Sequence, residues 1–314
     1  MQERNLGSSG LRVSAVGIGC NNFGGRIDTR ETGRVIDKAI DLGVTLFDTA
    51  DIYSNRGGSE TAMGEVLGGR KRQKIVLATK FGMQMDEAGK LKGGARRYIM
   101  SAVEGSLQRL KTDYIDLYQI HQQDPLTPIE ETLRALDDLV RAGKVRYIGC
   151  SNHAAWQVAE AQETARRCNL NAFVSCQDEY SLLVRDIDRE LMPAMSRYQM
   201  GLLPFFPLAC GLLTGKYARN AMPQGARLTE MKRYQDKYLN DRNWTAIDAL
   251  TTFAKSRGHS LLELAFCWLL ARPNTASVIA GATSPEQVEA NVAAASWKLT
   301  PEDMAEVDRI TAAG

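Results

Sequence analysis

Eight short β-rich runs recur along the chain with helical patterns between them, and this alternation constrains the fold more than any other feature. The runs are 13–18, 44–47, 75–79, 114–120, 145–148, 173–176, 202–206 and 276–280. Except before the last, each begins about thirty to forty residues after its predecessor, the length of one strand–helix unit. Strand alternating with helix, with no break in composition, implies a parallel sheet covered by its crossover helices. Eight such units imply closure, so the expected architecture is α/β, a single (β/α)8 TIM barrel spanning residues 1–314. The composition, 44% hydrophobic and 24% charged, excludes a disordered or fibrous chain.

The helical patterns carry start signals. Asp28 and Glu31 open one whose Val35, Ile36, Ala39 and Ile40 share a face, with Gly43 closing it. Thr127-Pro128-Ile129-Glu130 predicts an N-cap, a proline at the first helical position and a reciprocal glutamate. Ser284-Pro285-Glu286-Gln287 repeats that device, and Thr300-Pro301 starts a terminal helix. Two features stand outside the repeat. Residues 5–11 read as an N-terminal β-hairpin with glycine in its turn. Residues 211–243 form a long loop after strand seven, the kind of connection that is usually functional. A lesser one, 82–94, follows strand three.

Charge is nearly balanced, 39 basic against 37 acidic residues, so no global field points to nucleic acid or an anionic membrane. The longest apolar stretch, Leu261 to Ala271, is too short to span a bilayer and contains Glu263. Residues 1–6 lack the pattern of a signal peptide. Six dispersed cysteines without a C-x-x-C pair argue against a disulfide framework or a zinc cluster. The expectation is a cytoplasmic protein, monomer or homo-oligomer, acting on a small molecule.

Barrel enzymes place their chemistry at the carboxyl ends of the strands. There the sequence puts Asp48 with Tyr53 five residues on, then Lys80, His121, Ser151-Asn152, Gln177, Phe205-Phe206 and Gly281. Singly, Lys80 reads as a snorkelling lysine, Asp48 as a helix cap and His121 as a core histidine. Asp, Lys and His at three consecutive strand ends, with a tyrosine beside them, read instead as a site. No H-x-H, H-E-x-x-H or Cys/His cluster supports a metal, and His153 and His259 are expected within helices. Residues 149–153 lack the second glycine of a nucleophile elbow, and Gly17-Ile18-Gly19 leads to Asn22 where a Rossmann fingerprint needs glycine.

A free tyrosine, with a pKa near ~10, is a poor acid–base at neutral pH. An ammonium a few ångströms away is expected to lower that value by about one to three units. Asp48 would keep the ammonium charged and in place, and His121 would donate to a carbonyl oxygen. This equipment protonates an oxygen while something else attacks the carbon. No residue here is a nucleophile, so a cofactor is expected to supply hydride.

Those residues lie in stretches that together resemble the aldo-keto reductase superfamily: GVTLFDTADIY at 43–53, TKFG at 79–82, DYIDLYQIH at 113–121, GKVRYIGCSN at 143–152 and PLACGLLTGK at 207–216. The resemblance covers nearly the whole chain, and is greater to the bacterial reductases and potassium-channel β subunits than to the mammalian aldose reductases. It implies a barrel binding NADP(H) in extended form across the strand ends. It makes Tyr53 the general acid, tuned by Lys80 and Asp48, with His121 orienting the carbonyl. It assigns Ser151, Asn152 and Gln177 to the nicotinamide carboxamide, and Phe205 to the nicotinamide face, where Tyr or Trp is usual. Phe206 replaces a common serine, while Pro207, Leu208 and Cys210 match a turn bordering the pyrophosphate. Lys216 and Arg227 fit phosphate positions on a flap. Gly281, Thr283, Gln287 and Asn291 match the adenosine end, with Ala290 where glutamate is frequent. Cys20, Asn21 and Arg26 occupy the rim near the first strand.

The leading expectation is therefore an NADPH-dependent reductase of aldehydes or ketones. The alternative is a nucleotide-sensing subunit with slow turnover. A barrel isomerase or lyase acting on phosphorylated sugars would leave Ser151-Asn152 and Gln177 unexplained. Phe23, Met83, Gln122 and Trp244 are candidate walls of the substrate pocket, though each suits core or surface as well.

Overall fold

The computed structural model describes residues 1–312. An antiparallel hairpin, β1 (Glu3–Asn5) and β2 (Arg12–Ser14), precedes the first barrel strand, β3 (Val16–Gly19). Then follow α1 (Thr29–Asp41), β4 (Leu46–Asp48), α2 (Tyr53–Val66), β5 (Val76–Phe81), α3 (Arg96–Leu110), β6 (Ile115–Ile120) and α4 (Ile129–Arg141). The second half runs β7 (Val145–Ser151), α5 (Ala155–Cys168), β8 (Ser175–Glu179), α6 (Leu191–Arg197) and β9 (Gly201–Phe205). Single turns α7 (Arg227–Glu230) and α8 (Gln235–Tyr238) lie within the long connection that leads to α9 (Asp241–Ser256). The chain ends with α10 (Leu261–Ala271), β10 (Val278–Gly281), α11 (Pro285–Ala293) and α12 (Pro301–Ala312).

The eight strands β3 to β10 are parallel, in the order β10-β3-β4-β5-β6-β7-β8-β9. A parallel bridge between Leu202 and Thr275 joins the two edges of the sheet and closes the ring. This is the expected (β/α)8 barrel with its N-terminal hairpin. One apolar layer, between sheet and helices, buries alternate strand residues such as Phe81, Tyr118, Ile120 and Cys150. A second fills the barrel near the amino ends of its strands, where Leu6 from the hairpin meets Leu46, Leu117 and Leu203. Gly7, at φ +61°, lets the hairpin turn that tightly; a Cβ there would lie 2.5 Å from the Gln199 carbonyl oxygen.

Local signals behave unevenly. The Asp28 side chain caps α1, accepting from the Glu31 amide at 2.8 Å. Thr300 and Asp303 exchange hydrogen bonds at the start of α12. Thr127 does not cap α4: its hydroxyl donates to Asp124 at 2.7 Å, and Pro128 takes the cap position, so the helix begins one residue late. The run 13–18 is two strands. Ser14 ends the hairpin by donating to the Val16 carbonyl oxygen at 2.6 Å and accepting from the Thr45 amide, which diverts the backbone from a continuous ladder.

Candidate active site

Lys80 is the penultimate residue of β5, and strand alternation turns it into the barrel while Phe81 turns out against Tyr118. It is wholly buried, and its ammonium donates to Asp48 Oδ2 at 2.6 Å, to the Thr49 carbonyl oxygen at 2.9 Å and to the Tyr53 hydroxyl at 3.3 Å. All three protons are used. Burial is the strongest single influence on this amine and pulls its pKa down. Asp48 and Tyr53 together outweigh it, so the net shift is upward and Lys80 is charged.

Asp48, the last residue of β4, has both oxygens engaged. Oδ2 faces Lys80, while Oδ1 accepts from Gln177 Nε2 at 2.9 Å and Gln119 Nε2 at 3.1 Å. Tyr53 follows five residues later, and Ser54, Asn55, Arg56 and Gly57 after it all have positive φ. Three consecutive non-glycine residues in that region are costly, about 1–2 kcal/mol each. The Ser54 hydroxyl, donating to the Phe23 carbonyl oxygen at 2.6 Å, pins this left-handed turn to the rim beyond β3. Gly57, at φ +109°, has no room for a Cβ, which would fall 2.6 Å from Arg109 Cδ.

The phenol itself departs from expectation. Its pKa lies above the ordinary tyrosine value rather than below it. Burial raises it most; Lys80 lowers it, but Asp48 raises it in turn. An ammonium paired with a carboxylate at 2.6 Å has little net charge left to stabilise a phenolate. Tyr53 is thus a protonated donor throughout the neutral range. His121, one residue past β6, sits edge-on to Tyr53 with ring centroids 5.7 Å apart. Burial and then Lys80 push its pKa down to about 3, so the ring is neutral and keeps one N–H to donate.

The residues that the resemblance assigns to a dinucleotide lie at the strand ends and on the connections and helix that follow them. Ser151 ends β7, and Asn152, at φ +54°, donates to the His121 carbonyl oxygen at 2.9 Å and to Ser151 Oγ at 3.0 Å. Gln177 lies in the middle of β8 rather than at its end, with one N–H of its amide donated to Asp48. Phe205 ends β9. Phe206, at φ +49°, packs edge-on against Phe205 and against Tyr234 of the long connection. Pro207 and Leu208 lead into a turn in which Ala209, Cys210 and Gly211 all have positive φ, an arrangement able to aim successive amides at an anion. Burial raises the Cys210 thiol to about 11, and Cys20 is likewise buried with its thiol well above the usual range.

Lys216 and Arg227 come together with Arg26. Arg227 donates to Asn22 Oδ1 at 3.2 Å and lies over the Phe206 ring. Arg26 bonds the Gly225 carbonyl oxygen. Burial lowers the Lys216 pKa, and Arg26 and Arg227 lower it further, as in a cation cluster that favours an anion. At its far end the long connection is held by Lys237 and Tyr238, both donating to Glu179 at the end of β8. It therefore crosses the mouth from β8 to the rim of β3. At that rim Gly281 ends β10 close to Asn21 and Asn22. Gln287 accepts from the amide and hydroxyl of Thr283, at 2.9 and 3.2 Å, rather than from the Ser284 amide that a capping box would use. Asn291 is buried on α11.

Several expectations are corrected. Phe23 and Trp244 are core side chains, not pocket walls, whereas Met83 is half-buried and Gln122 exposed on the rim loops. His153 and His259 lie in the loops just before α5 and α10 rather than inside helices. His153 Nδ1 is 2.8 Å from the Ser151 carbonyl oxygen, and His259 stacks on Trp297. Among the described residues, no three His, Cys, Asp or Glu side chains gather to hold a metal ion, and no helix is long and apolar enough to cross a membrane. Sequence reasoning missed Gln119, Asn22 and Asp51. The signal for Gln119 was present: it shares the inward phase of β6 with Leu117, where an apolar residue would be ordinary.

A parallel barrel that gathers a phenol, a charged ammonium, a carboxylate and a neutral imidazole at its carboxyl-end mouth defines the class, the barrel oxidoreductases. A family model described as the Aldo/keto reductase family matches residues 15–312, and the chain belongs to that family. It is similar to a probable voltage-gated potassium channel subunit beta of rice, Oryza sativa, at 36% identity over 99% of this chain and 96% of the relative. It is equally similar, at 36% identity, to the uncharacterized oxidoreductase YrpG of Bacillus subtilis, covering 96% and 93% of the two chains. An L-glyceraldehyde 3-phosphate reductase of Escherichia coli is 33% identical over all of this chain and 93% of its own.

Proposed function

We propose that the chain, acting as one barrel domain, is a cytoplasmic NADP(H)-dependent reductase of aldehydes and ketones that also oxidises the corresponding alcohols. The observation that carries the reading is the Tyr53 hydroxyl, 3.3 Å from a charged Lys80 and edge-on to a neutral His121 in one mouth. The remaining lining fits a dinucleotide. Gln177 keeps its Oε1 for a carboxamide, Phe205 offers a flat apolar face, and Arg26, Lys216 and Arg227 form a cation cluster suited to phosphate. A nicotinamide dinucleotide bound there supplies the hydride that reduces the carbonyl carbon.

The chain's own groups manage the oxygen. His121 donates its N–H and fixes where the carbonyl oxygen sits. Tyr53 transfers its hydroxyl proton to that oxygen as negative charge develops on it. The resulting phenolate is held beside Lys80, whose remaining protons stay on Asp48 and the Thr49 carbonyl oxygen. Solvent then returns a proton to Tyr53. In alcohol oxidation the same proton travels the other way.

The test is a panel of aldehydes and ketones, including L-glyceraldehyde 3-phosphate, assayed with NADPH and with NADH. Oxidation of NADPH by at least one carbonyl, faster than of NADH, is expected. The relatives named as channel subunits support a second reading, a nucleotide-sensing subunit. Tight nucleotide binding without turnover of any carbonyl would replace the first reading with it.

A further inference from the structure

We propose that Gln119 is a positioning residue: together with Gln177 it fixes the Asp48 carboxylate so that Lys80 is presented to Tyr53. The inference rests on the reductase reading above. Gln119 lies in β6, in register with Lys80 on one side and Gly149 on the other, and is wholly buried. Its Nε2 and that of Gln177 both donate to Asp48 Oδ1, at 3.1 and 2.9 Å, while Lys80 alone takes Oδ2 at 2.6 Å. Donors from β6 and β8 on one oxygen, and from β5 on the other, stop the carboxylate from turning. Without the two amides it is free to turn and take the ammonium with both oxygens. Lys80 would then be drawn from the phenol, which it reaches at only 3.3 Å.

Two further observations fit a role beyond filling space. Gln119 Oε1 is buried and has no hydrogen-bond partner. A hydrocarbon of similar size would fill the same volume without leaving an unmatched carbonyl oxygen. Room for the side chain also depends on Gly149, where a Cβ would stand 3.2 Å from Gln119 Cγ and 2.6 Å from Ser175 Oγ. Gln177 has a competing claim on it if its amide meets a bound nucleotide. Gln119 has none and keeps Asp48 anchored.

The charged and titratable groups facing Tyr53 are Asp48 from β4, Lys80 from β5, His121 beyond β6 and Cys20 beyond β3. Removing an amide donor leaves more negative charge on Asp48 and draws Lys80 toward it, and both changes disfavour the phenolate. The experiment replaces Tyr53 with a fluorinated tyrosine of lower intrinsic pKa and titrates it by fluorine NMR, in the wild-type background and in Gln119→Met and Gln119→Leu. The full-length, nucleotide-free protein is used, so turnover is not needed. The phenol pKa is expected to rise by about half a unit or more in both variants. With natural tyrosine at 53, kcat for carbonyl reduction is expected to fall about tenfold while KM for the nucleotide changes less than about twofold.

An unchanged phenol titration in the folded variants would overturn the proposal and leave Gln119 a space-filling residue. Gly149→Ala, which presses on the Gln119 stem without removing its amide, is the second variant should both substitutions at 119 fail to fold; a smaller rise is expected there, and no rise counts against the proposal. A wild-type protein inactive on every carbonyl would sink the reductase reading yet leave this titration to judge Gln119.

Discussion

Asp51, two residues before Tyr53, shows how burial at this site acts on acids. Its Oδ2 is 3.3 Å from the Tyr98 hydroxyl, while its Oδ1 is buried without a partner. Burial, and then the negative charge of Glu60, push its carboxyl up to about 7. Because this pKa exceeds that of the unfolded chain, the native state holds the extra proton between about pH 4 and 7, and stability falls as pH rises through that window. Asp51→Asn should abolish that slope, raising Tm relative to wild type by roughly 2–4 °C at about pH 8 and by much less near pH 4. Parallel melts at the two values check it; equal shifts at both would show that Asp51 is ionised in the native protein. Tyr53→Phe removes the proposed proton donor without removing the ring. Turnover should fall by at least about a thousandfold with nucleotide affinity retained, as read by fluorescence titration, and full activity would end the donor assignment. The sequence made it legible that Asp48, Tyr53, Lys80 and His121 would converge, since each sits at or just past a strand end. The direction of the Tyr53 shift was not legible, because it turns first on how deeply the phenol is buried and then on how far Asp48, at 2.6 Å, neutralises Lys80.

Among the elements, the long connection is the one tied across the mouth of the barrel by side-chain hydrogen bonds. Its anchors lie at two places: Arg26 and Asn22 on the β3 side meet Gly225 and Arg227, and Glu179 on β8 meets Lys237 and Tyr238. Between them its packing includes aromatic edges such as Tyr234 on Phe206. Arg227→Ala removes one anchor and one member of the cation cluster together. The dissociation constant for NADPH should rise about tenfold, equivalent to about 1.4 kcal/mol, with the rise shrinking at high salt. An unchanged constant would assign Arg227 to holding the loop alone. The length of this connection was evident from the gap before the last strand run, but its path was not. The β3-side anchors pair residues some two hundred positions apart and the β8-side anchors residues nearly sixty apart, and no local pattern encodes either. The left-handed turn after Tyr53 was equally hidden. Ser54, Asn55 and Arg56 have no special propensity for positive φ as a run, and the bond that pins the turn joins Ser54 to Phe23, thirty-one positions away.

At the scale of the molecule, the two ends of the barrel divide the work. The carboxyl ends of the strands hold ionisable groups in a buried, partly strained setting, and the amino ends hold an apolar plug in which Leu6 packs against Leu46, Leu117 and Leu203. The eight-unit spacing made this architecture legible, since only a closed barrel gives every unit the same surroundings. It did not reveal that the first run divides at Ala15, because Val13 and Val16 are apolar whichever sheet they join. The division matters: it sends β2 back to β1 and so delivers Leu6 under the barrel. Leu6→Ala should therefore cost about 2–5 kcal/mol of stability, the usual range for a buried leucine whose surroundings cannot collapse. It should leave kcat and KM at a permissive temperature within about twofold of wild type, since none of the hydrogen bonds that hold Asp48, Lys80 and Tyr53 involves a residue of the plug. Chemical denaturation and steady-state assays on the same preparation separate the two quantities. A loss of kcat matching the loss of stability would show that the ends are coupled through the barrel wall, and that the hairpin belongs to the catalytic apparatus as well as to the fold.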